Sequence, residues 1–350
     1  MAAASSLETA DGYPIVDAAS ALLKGAPSAL ASIQSQINGR LTEVLSELRR
    51  IVVSDFDMIE DVNEYLLLMR GKLFRPTLLL LANEVGESPD DDAITLAAVV
   101  ELVHLATLVH DDAVDHSVLR RGQPTVNALW THQIAVIMGD YLYSRGVSEL
   151  AELGNLEAVR VLAAAANEMS VGEMRQLTTY DALDFTEDDY HRLIAAKTAS
   201  LMSAACEMGA LVGGAAPFRK PLKKFGHSLG MAFQIADDLL DYTGTEAVTG
   251  KPTGHDLRER KVTLPLVAAL DRMSPPELER VRRFFTLVDP SDADIQEIVD
   301  IVDERRGLEY ARGRAVHYAE KAEAILGKLG GGPAVDALRH SVVYAIDRTY

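Results

Sequence analysis

The sequence predicts an all-α protein. Apolar residues recur at helical spacing almost throughout, and alternating Val/Ile/Thr strand patterns bounded by turn signals are scarce. Pro and Gly fall mainly between the periodic stretches, as at Gly71, Pro89, Gly122, Pro217 and Pro252. The periodicity places helices over 28–50, 57–68, 74–87, 91–115, 124–152, 156–180, 187–214, 218–244, 262–272, 276–287, 293–303, 305–328 and 333–347. Those at 91–115, 187–214 and 218–244 are apolar over much of their circumference (AITLAAVVELVHLATLVH, LMSAACEMGALVGG, SLGMAFQIADDLL), which suits the central helices of a bundle. No linker rich in Ser, Gly or Pro divides the chain, so the expectation is a flexible segment over 1–25 and a single domain over 26–350. The polar stretch 244–261, GTEAVTGKPTGHDLRERK, interrupts the helical pattern and reads as a functional loop or lid.

Composition narrows the function. In 350 residues, 52 acidic against 34 basic side chains leave a formal charge of -18. That opposes binding to nucleic acid by bulk electrostatics, so an anionic substrate must meet locally placed cations or metal ions. The single cysteine, Cys206, excludes an intrachain disulfide and lies in an apolar helical pattern where a buried thiol is expected, which fits a cytoplasmic setting. The first twenty residues have no basic region leading into an apolar one and carry Glu8, Asp11 and Asp17, so no export signal is expected. No run of 18 apolar residues free of charge appears, and no transmembrane segment is expected.

Two of the apolar helices end alike, in DDAVD at 111–115 and, 126 residues later, in DDLLD at 237–241. Within each motif the first and last Asp are four apart, so Asp111 with Asp115, and Asp237 with Asp241, project from one helical face and repel. A helix C-terminus also disfavours negative charge, so three carboxylates there cost stability unless cations offset them. Magnesium suits the pattern, because it takes oxygen ligands and is usually held by one or two carboxylates together with substrate phosphates. A single motif of this kind reads as a solvated acidic helix end; two of them, each closing a core-grade helix, point to metal binding by Asp111, Asp112, Asp115, Asp237, Asp238 and Asp241. Lys72 and Arg75 lie three apart at a helix start, where free backbone N–H groups also favour an anion. His104 precedes Asp111 by two helical turns and so points toward the same cavity.

The chain resembles the trans-isoprenyl diphosphate synthases, the family of farnesyl, geranylgeranyl and longer polyprenyl diphosphate synthases. The resemblance covers nearly everything from 40 to 347: GKLFRP at 71–76, HLATLVHDDAVD at 104–115, RRGQPT at 120–125, GDYL at 139–142, KT at 197–198, FQIADDLLD at 233–241 and GKPTGHDL…KVTLPL at 250–266. It implies an isoprenoid-synthase-type helix bundle around a deep central cavity, about three magnesium ions between facing Asp motifs, and a homodimer. It also implies that Lys72, Arg75, His104 and Arg121 bind isopentenyl diphosphate and that Arg120 contacts the allylic diphosphate. Lys197, Thr198, Gln234, Lys251 and Lys261 match further contacts to that diphosphate, and Lys197, Thr198 and Gln234 match positions that stabilise the cationic centre. Two residues depart from the family's commonest pattern. Arg70 stands for the first glycine of GGKxxRP and Arg260 for the glycine of DLxEGK, beside retained lysines, so altered loop geometry is expected and retained activity with it. His110 and His116 flank the first motif as neutral supporting residues.

The implied reaction is ionisation of the allylic diphosphate, attack by the double bond of isopentenyl diphosphate, and proton loss, with the 244–261 lid excluding water. The growing tail is expected to run down the first motif's helix past Thr107, Ala106, Val103 and Val99. In the family an aromatic four or five residues before the motif stops growth early. Here those positions are the small Thr107 and Ala106, and HxATLxHDD is similar to the wording of hexaprenyl to decaprenyl synthases, so the expected product is roughly C30 to C50, with Met138 or Leu142 as candidates for the tunnel floor. So long a product would bring peripheral membrane contact at release. The alternatives are a short-chain synthase, a class I terpene cyclase, an HD-type phosphohydrolase suggested by His110–Asp111, and a non-catalytic subunit; the second Asp motif speaks against the last three.

Overall fold

The computed structural model describes residues 29–347 apart from 69, 70, 87, 121, 178–182 and 245–253. The expected flexible segment 1–25 lies outside these. In chain order the helices are α1 (Ala29–Gln34), α2 (Asn38–Val52), α3 (Asp57–Leu68), α4 (Phe74–Glu84), α5 (Asp92–Val114), α6 (Val126–Leu129), α7 (His132–Leu153), α8 (Leu156–Leu177), α9 (Glu187–Ile194), α10 (Ser200–Gly209), α11 (Arg219–Thr243), α12 (His255–Arg258), α13 (Leu264–Leu270), α14 (Pro275–Phe284), α15 (Asp292–Glu304), α16 (Gly307–Leu326) and α17 (Pro333–Ile346). A two-stranded hairpin, β1 (Leu119–Arg120) with β2 (Gln123–Pro124), follows α5, and a π-helical turn, Ala195–Ala199, joins α9 to α10.

The expected helix 28–50 is interrupted by a 3₁₀ turn at Ser35–Ile37, and other boundaries also differ from the periodicity, four of them for a local reason. The expected helix 124–152 is two, because Thr131 adopts an extended conformation and its hydroxyl accepts from the Ile134 N–H, starting α7 afresh. The expected helix 187–214 changes to π geometry at 195–199 and stops at Gly209, where Asn83 of α4 donates to the Gly209 and Val212 carbonyls that the helix end leaves orphaned. Leu119–Arg120 and Gln123–Pro124 pair as a hairpin in place of the expected helix start at 124, and Gly122 has φ +75°, a conformation glycine adopts without strain. The 244–261 stretch is not wholly loop, since α12 occupies 255–258.

α5 lies at the centre, packed by α2, α4, α7 and α10. It is long and apolar enough to cross a membrane, but two thirds of its most apolar window, 67%, is buried inside the bundle, which is what a core helix needs in water. α11 packs on α10, α16 and the π turn. Its close approach depends on small residues: a Cβ on Gly226 would fall 2.5 Å from the Met202 carbonyl oxygen, and one on Gly230 2.6 Å from Ala199 Cα. Gly226, Gly230, Gln234 and Asp238 recur every four residues, so one stripe of α11 brings backbone against backbone in its middle and then presents polar groups to the π turn and α9.

Candidate active site

Both Asp motifs meet at one cavity of about 690 Å³, lined by Asp115 from the end of α5 and by Gln234, Asp237 and Asp238 of α11, with Lys197 and Thr198 of the π turn and Asp256, Arg260 and Lys261 around α12. Each carboxylate of the first motif faces a different cation. Asp111 lies 3.6 Å from Lys197 Nζ, Asp112 accepts from Arg120 Nε at 2.8 and 2.9 Å through its two oxygens, and Asp115 lies 3.4 Å from Lys261 Nζ. The chain reverses just past α5, where His116 has φ +52° and the Ser117 N–H donates to the Asp112 carbonyl, so a residue eight positions on reaches the Asp112 side chain. Lys197 and Lys261 line the same cavity as Asp237 and Asp238 of the second motif.

The second motif divides into distinct roles. Asp238 is buried, and its two oxygens accept from Tyr190 Oη at 2.5 Å and Gln234 Nε2 at 2.7 Å; Gln234 Oε1 in turn accepts from the Thr198 hydroxyl at 2.6 Å. Asp241 accepts from the backbone N–H groups of His255 and Asp256, at 3.1 and 3.0 Å, and so holds the start of α12. Asp237 is directed to the cavity. Burial shapes the proton affinities. It raises the Asp111 carboxyl, against the pull of Lys197 and with a further push from Glu173. It raises Tyr190 far above the usual phenol, with Asp238 adding to this, so Tyr190 keeps its proton and donates. Burial, then Asp241, push Asp256 up to about 7.

A smaller cavity of about 240 Å³ flanks α5, lined by Gly71, Glu101, His104, Leu105, Asp112 and Arg120 among others. His104 opens on this chamber beside Asp112 of the first motif. Arg75 Nη1 lies 3.0 Å from His104 Nε2, so a guanidinium N–H donates to the unprotonated ring nitrogen. Lys72 stands apart from this pair: its ammonium reaches the Tyr344 hydroxyl at 3.4 Å on α17, where Phe74, Phe233 and Tyr344 also pack together. Leu73 between them has φ +53°, which turns the chain sharply into α4. Arg121, Lys251 and Arg70 lie outside the described residues. On the tunnel side, Val99, Val103 and Ala106 are buried and Thr107 is half-buried, its hydroxyl donating to the His104 carbonyl.

Periodicity and motif reading passed over several residues. Glu173 of α8 lies 2.5 Å from Lys197 Nζ, Tyr190 holds Asp238, Asp256 lines the main cavity, and Glu101 is buried in an otherwise apolar helix. Only Glu101 carried a signal of its own, a carboxylate one turn before His104 on a helix expected at the core. Arg260, noted as replacing glycine, has φ +59°; its guanidinium donates to the Leu287 carbonyl, and this tether offsets part of the backbone strain.

Among the described residues no group of three or more His, Cys, Asp or Glu side chains is gathered to hold a metal ion alone. The donor set instead fits a hard divalent cation shared with substrate phosphate, since Asp115 and Asp237 present oxygen ligands to one open cavity.

The polyprenyl synthetase family profile matches residues 56–302, 71% of the chain. The chain belongs to the polyprenyl synthetase family. One member, heptaprenyl diphosphate synthase component 2 of Geobacillus stearothermophilus, is 37% identical over 324 residues, 92% of this chain and 99% of that one. The crystal structure of a decaprenyl diphosphate synthase from Rhodobacter capsulatus superposes with a TM-score of 0.87 at 36% identity, covering 92% of this chain and 99% of that one. A polyprenyl synthase from Caulobacter crescentus, solved with calcium and isoprenyl diphosphate, has a TM-score of 0.87 at 33% identity, covering 92% and 98%. The all-α isoprenoid-synthase fold of polyprenyl synthetases, a prenyltransferase family, is thus the fold of this chain.

Proposed function

We propose that this polyprenyl synthetase condenses isopentenyl diphosphate with an allylic diphosphate repeatedly, giving a long all-trans polyprenyl diphosphate of roughly C30 to C50 and releasing diphosphate. The observation that carries this is the convergence of Asp115, Asp237, Asp238, Lys197 and Lys261 on one cavity. The names of the heptaprenyl and decaprenyl relatives support a long product. Magnesium is the ion in this reading; when bound it supplies the Lewis-acid charge stabilisation that lets the diphosphate leave. Asp111, Asp112, Asp115, Asp237, Asp238 and Asp241 hold it in this reading, with Asp115, Asp237 and Asp238 in the wall of the main cavity.

Lys197 and Lys261, with Lys251, bind the allylic diphosphate in this reading. Arg120, already held by Asp112, is placed at its edge. Arg75, His104, Lys72 and Arg121 take isopentenyl diphosphate, with the Arg75–His104 bond fixing the ring so that its other nitrogen carries the proton. Thr198 and Gln234 present oxygen dipoles to the developing positive charge, and proximity of the two substrates does much of the rest. The tail grows along Thr107, Ala106, Val103 and Val99. A second copy of the chain covers the exposed apolar residues Val136 and Ile137 of α7 and Val171 and Met174 of α8, giving a homodimer.

Purified protein incubated with magnesium, farnesyl diphosphate and labelled isopentenyl diphosphate tests the reading, with products resolved by chromatography and the oligomer by light scattering. A C30–C50 ladder end-point and a dimer are expected. A product stopping at roughly C20 or below would overturn the long-chain assignment. Since the Geobacillus relative is named a component 2, activity seen only after a partner protein is added would replace the homodimer by a two-component enzyme.

A further inference from the structure

The Asp238 carboxylate sits at the base of a hydrogen-bond chain whose direction is determined link by link. The Gln234 amide turns its NH₂ toward Asp238 and donates to it at 2.7 Å. Gln234 Oε1 is then left facing Thr198 and can only accept, so the Thr198 hydroxyl spends its single proton at 2.6 Å and keeps lone pairs for other neighbours. Thr198, Gln234, Asp237, Asp238 and Tyr190 all line the main cavity, so the orientation of this chain sets which polar atoms the reacting centre meets. Asp238's second oxygen is held by Tyr190 at 2.5 Å, and Tyr190 is 1% exposed.

Tyr190 is itself rigidly mounted. Thr186 and Asp189 close a reciprocal cap at the start of α9, and Glu187, the first residue of that helix, accepts from Tyr310 Oη at 2.7 Å and lies 3.3 Å from Arg314 Nε on α16. α9 is thereby clamped to α16 on one side and to Asp238 on the other, and it runs directly into the turn that carries Lys197 and Thr198.

We infer that Tyr190 is a positioning residue for the prenyl transfer: its hydroxyl fixes the Asp238 carboxylate, and through it the direction of the Gln234–Thr198 chain and the presentation of the neighbouring Asp237 to the cavity. This rests on Asp237 being a metal ligand. The role differs from packing, because packing needs only the ring, whereas positioning needs the hydroxyl.

Tyr190→Phe, Asp238→Asn and the double variant test it, with inorganic pyrophosphate binding in magnesium measured by calorimetry beside kcat, KM and melting temperature. Tyr190→Phe is expected to weaken pyrophosphate binding about fivefold and lower kcat roughly tenfold or more, with KM for isopentenyl diphosphate within about twofold. Because the effect runs through Asp238, the double variant is expected to be no worse than Asp238→Asn. 3-Fluorotyrosine at position 190, which keeps ring and hydroxyl, is expected to restore kcat. A Tyr190→Phe protein that melts lower but binds pyrophosphate and turns over like the wild type overturns the inference, as does a double variant whose losses multiply. If Tyr190→Phe does not fold, Asp238→Asn carries the same expectation, and wild-type behaviour there overturns it. Wild-type protein that fails to bind pyrophosphate with magnesium overturns the metal reading along with this one.

Discussion

Single side chains in the cavity trade stability against chemistry. Asp111 is largely buried with Glu173 close by, and Lys197 and Arg120 offset only part of the burial and clustered negative charge, so the ionised carboxylate is disfavoured in the metal-free protein. Asp111→Asn is therefore predicted to raise the melting temperature without metal, as a stability–activity trade-off requires. The same change, or Asp111→Ala with Asp115→Ala, is predicted to lower elongation by about a thousandfold or more, since the Lewis-acid contribution is several kcal/mol. Circular dichroism should show unchanged helix content in each. A variant that melts higher and still elongates at the wild-type rate would remove Asp111 from the metal site. Arg260 shows the opposite economy: a strained backbone is kept where the guanidinium finds a fixed acceptor.

At the scale of elements, the site depends on how closely α11 lies to the π turn. Gly230→Ala places a methyl 2.6 Å from Ala199 Cα, contact that only backbone movement can relieve. Overpacking of this kind costs about 1–3 kcal/mol, and the movement separates Gln234 from Thr198, one turn further on. The predicted result is a loss of kcat out of proportion to the loss of stability, read by activity and thermal melting together. α14 makes a separate prediction. Its first-turn Glu277 is buried, accepts from Ser274 N and from Arg305, and closes a capping box, which hold its carboxyl down to about 2. A depressed carboxylate contributes stability above its unfolded value near 4.5, and this is lost as pH falls toward 2. Glu277→Gln should therefore lower the melting temperature at pH 7 and converge on the wild type near pH 2. Parallel melting curves across that range would contradict the assignment.

Over the whole molecule, the sequence made legible whatever follows from local pattern. Helix positions follow apolar spacing, and the Asp motifs declare themselves by repeating at the ends of core helices. What it hid depends on long-range placement: that Arg120 reaches back to Asp112, that His104 opens on a flanking chamber, that Tyr190 and Glu173 face the motifs from other helices. None of these has a spacing signature, because each contact joins residues whose separation the bundle alone determines. Product length belongs to this scale too. On α5, Val99 and Val103 face α7 at Gly146, where an added Cβ would lie at ordinary contact distances of 3.5 and 3.8 Å, and Ala106 is buried one turn nearer the site. If the tail passes Ala106, a phenyl group there fills space meant for substrate; if the position is merely packed, the same group must displace neighbours at about 1–3 kcal/mol. Ala106→Phe is accordingly predicted to shorten the product while leaving the melting temperature nearly unchanged. A large drop in melting temperature with the wild-type product length would place the growing chain elsewhere.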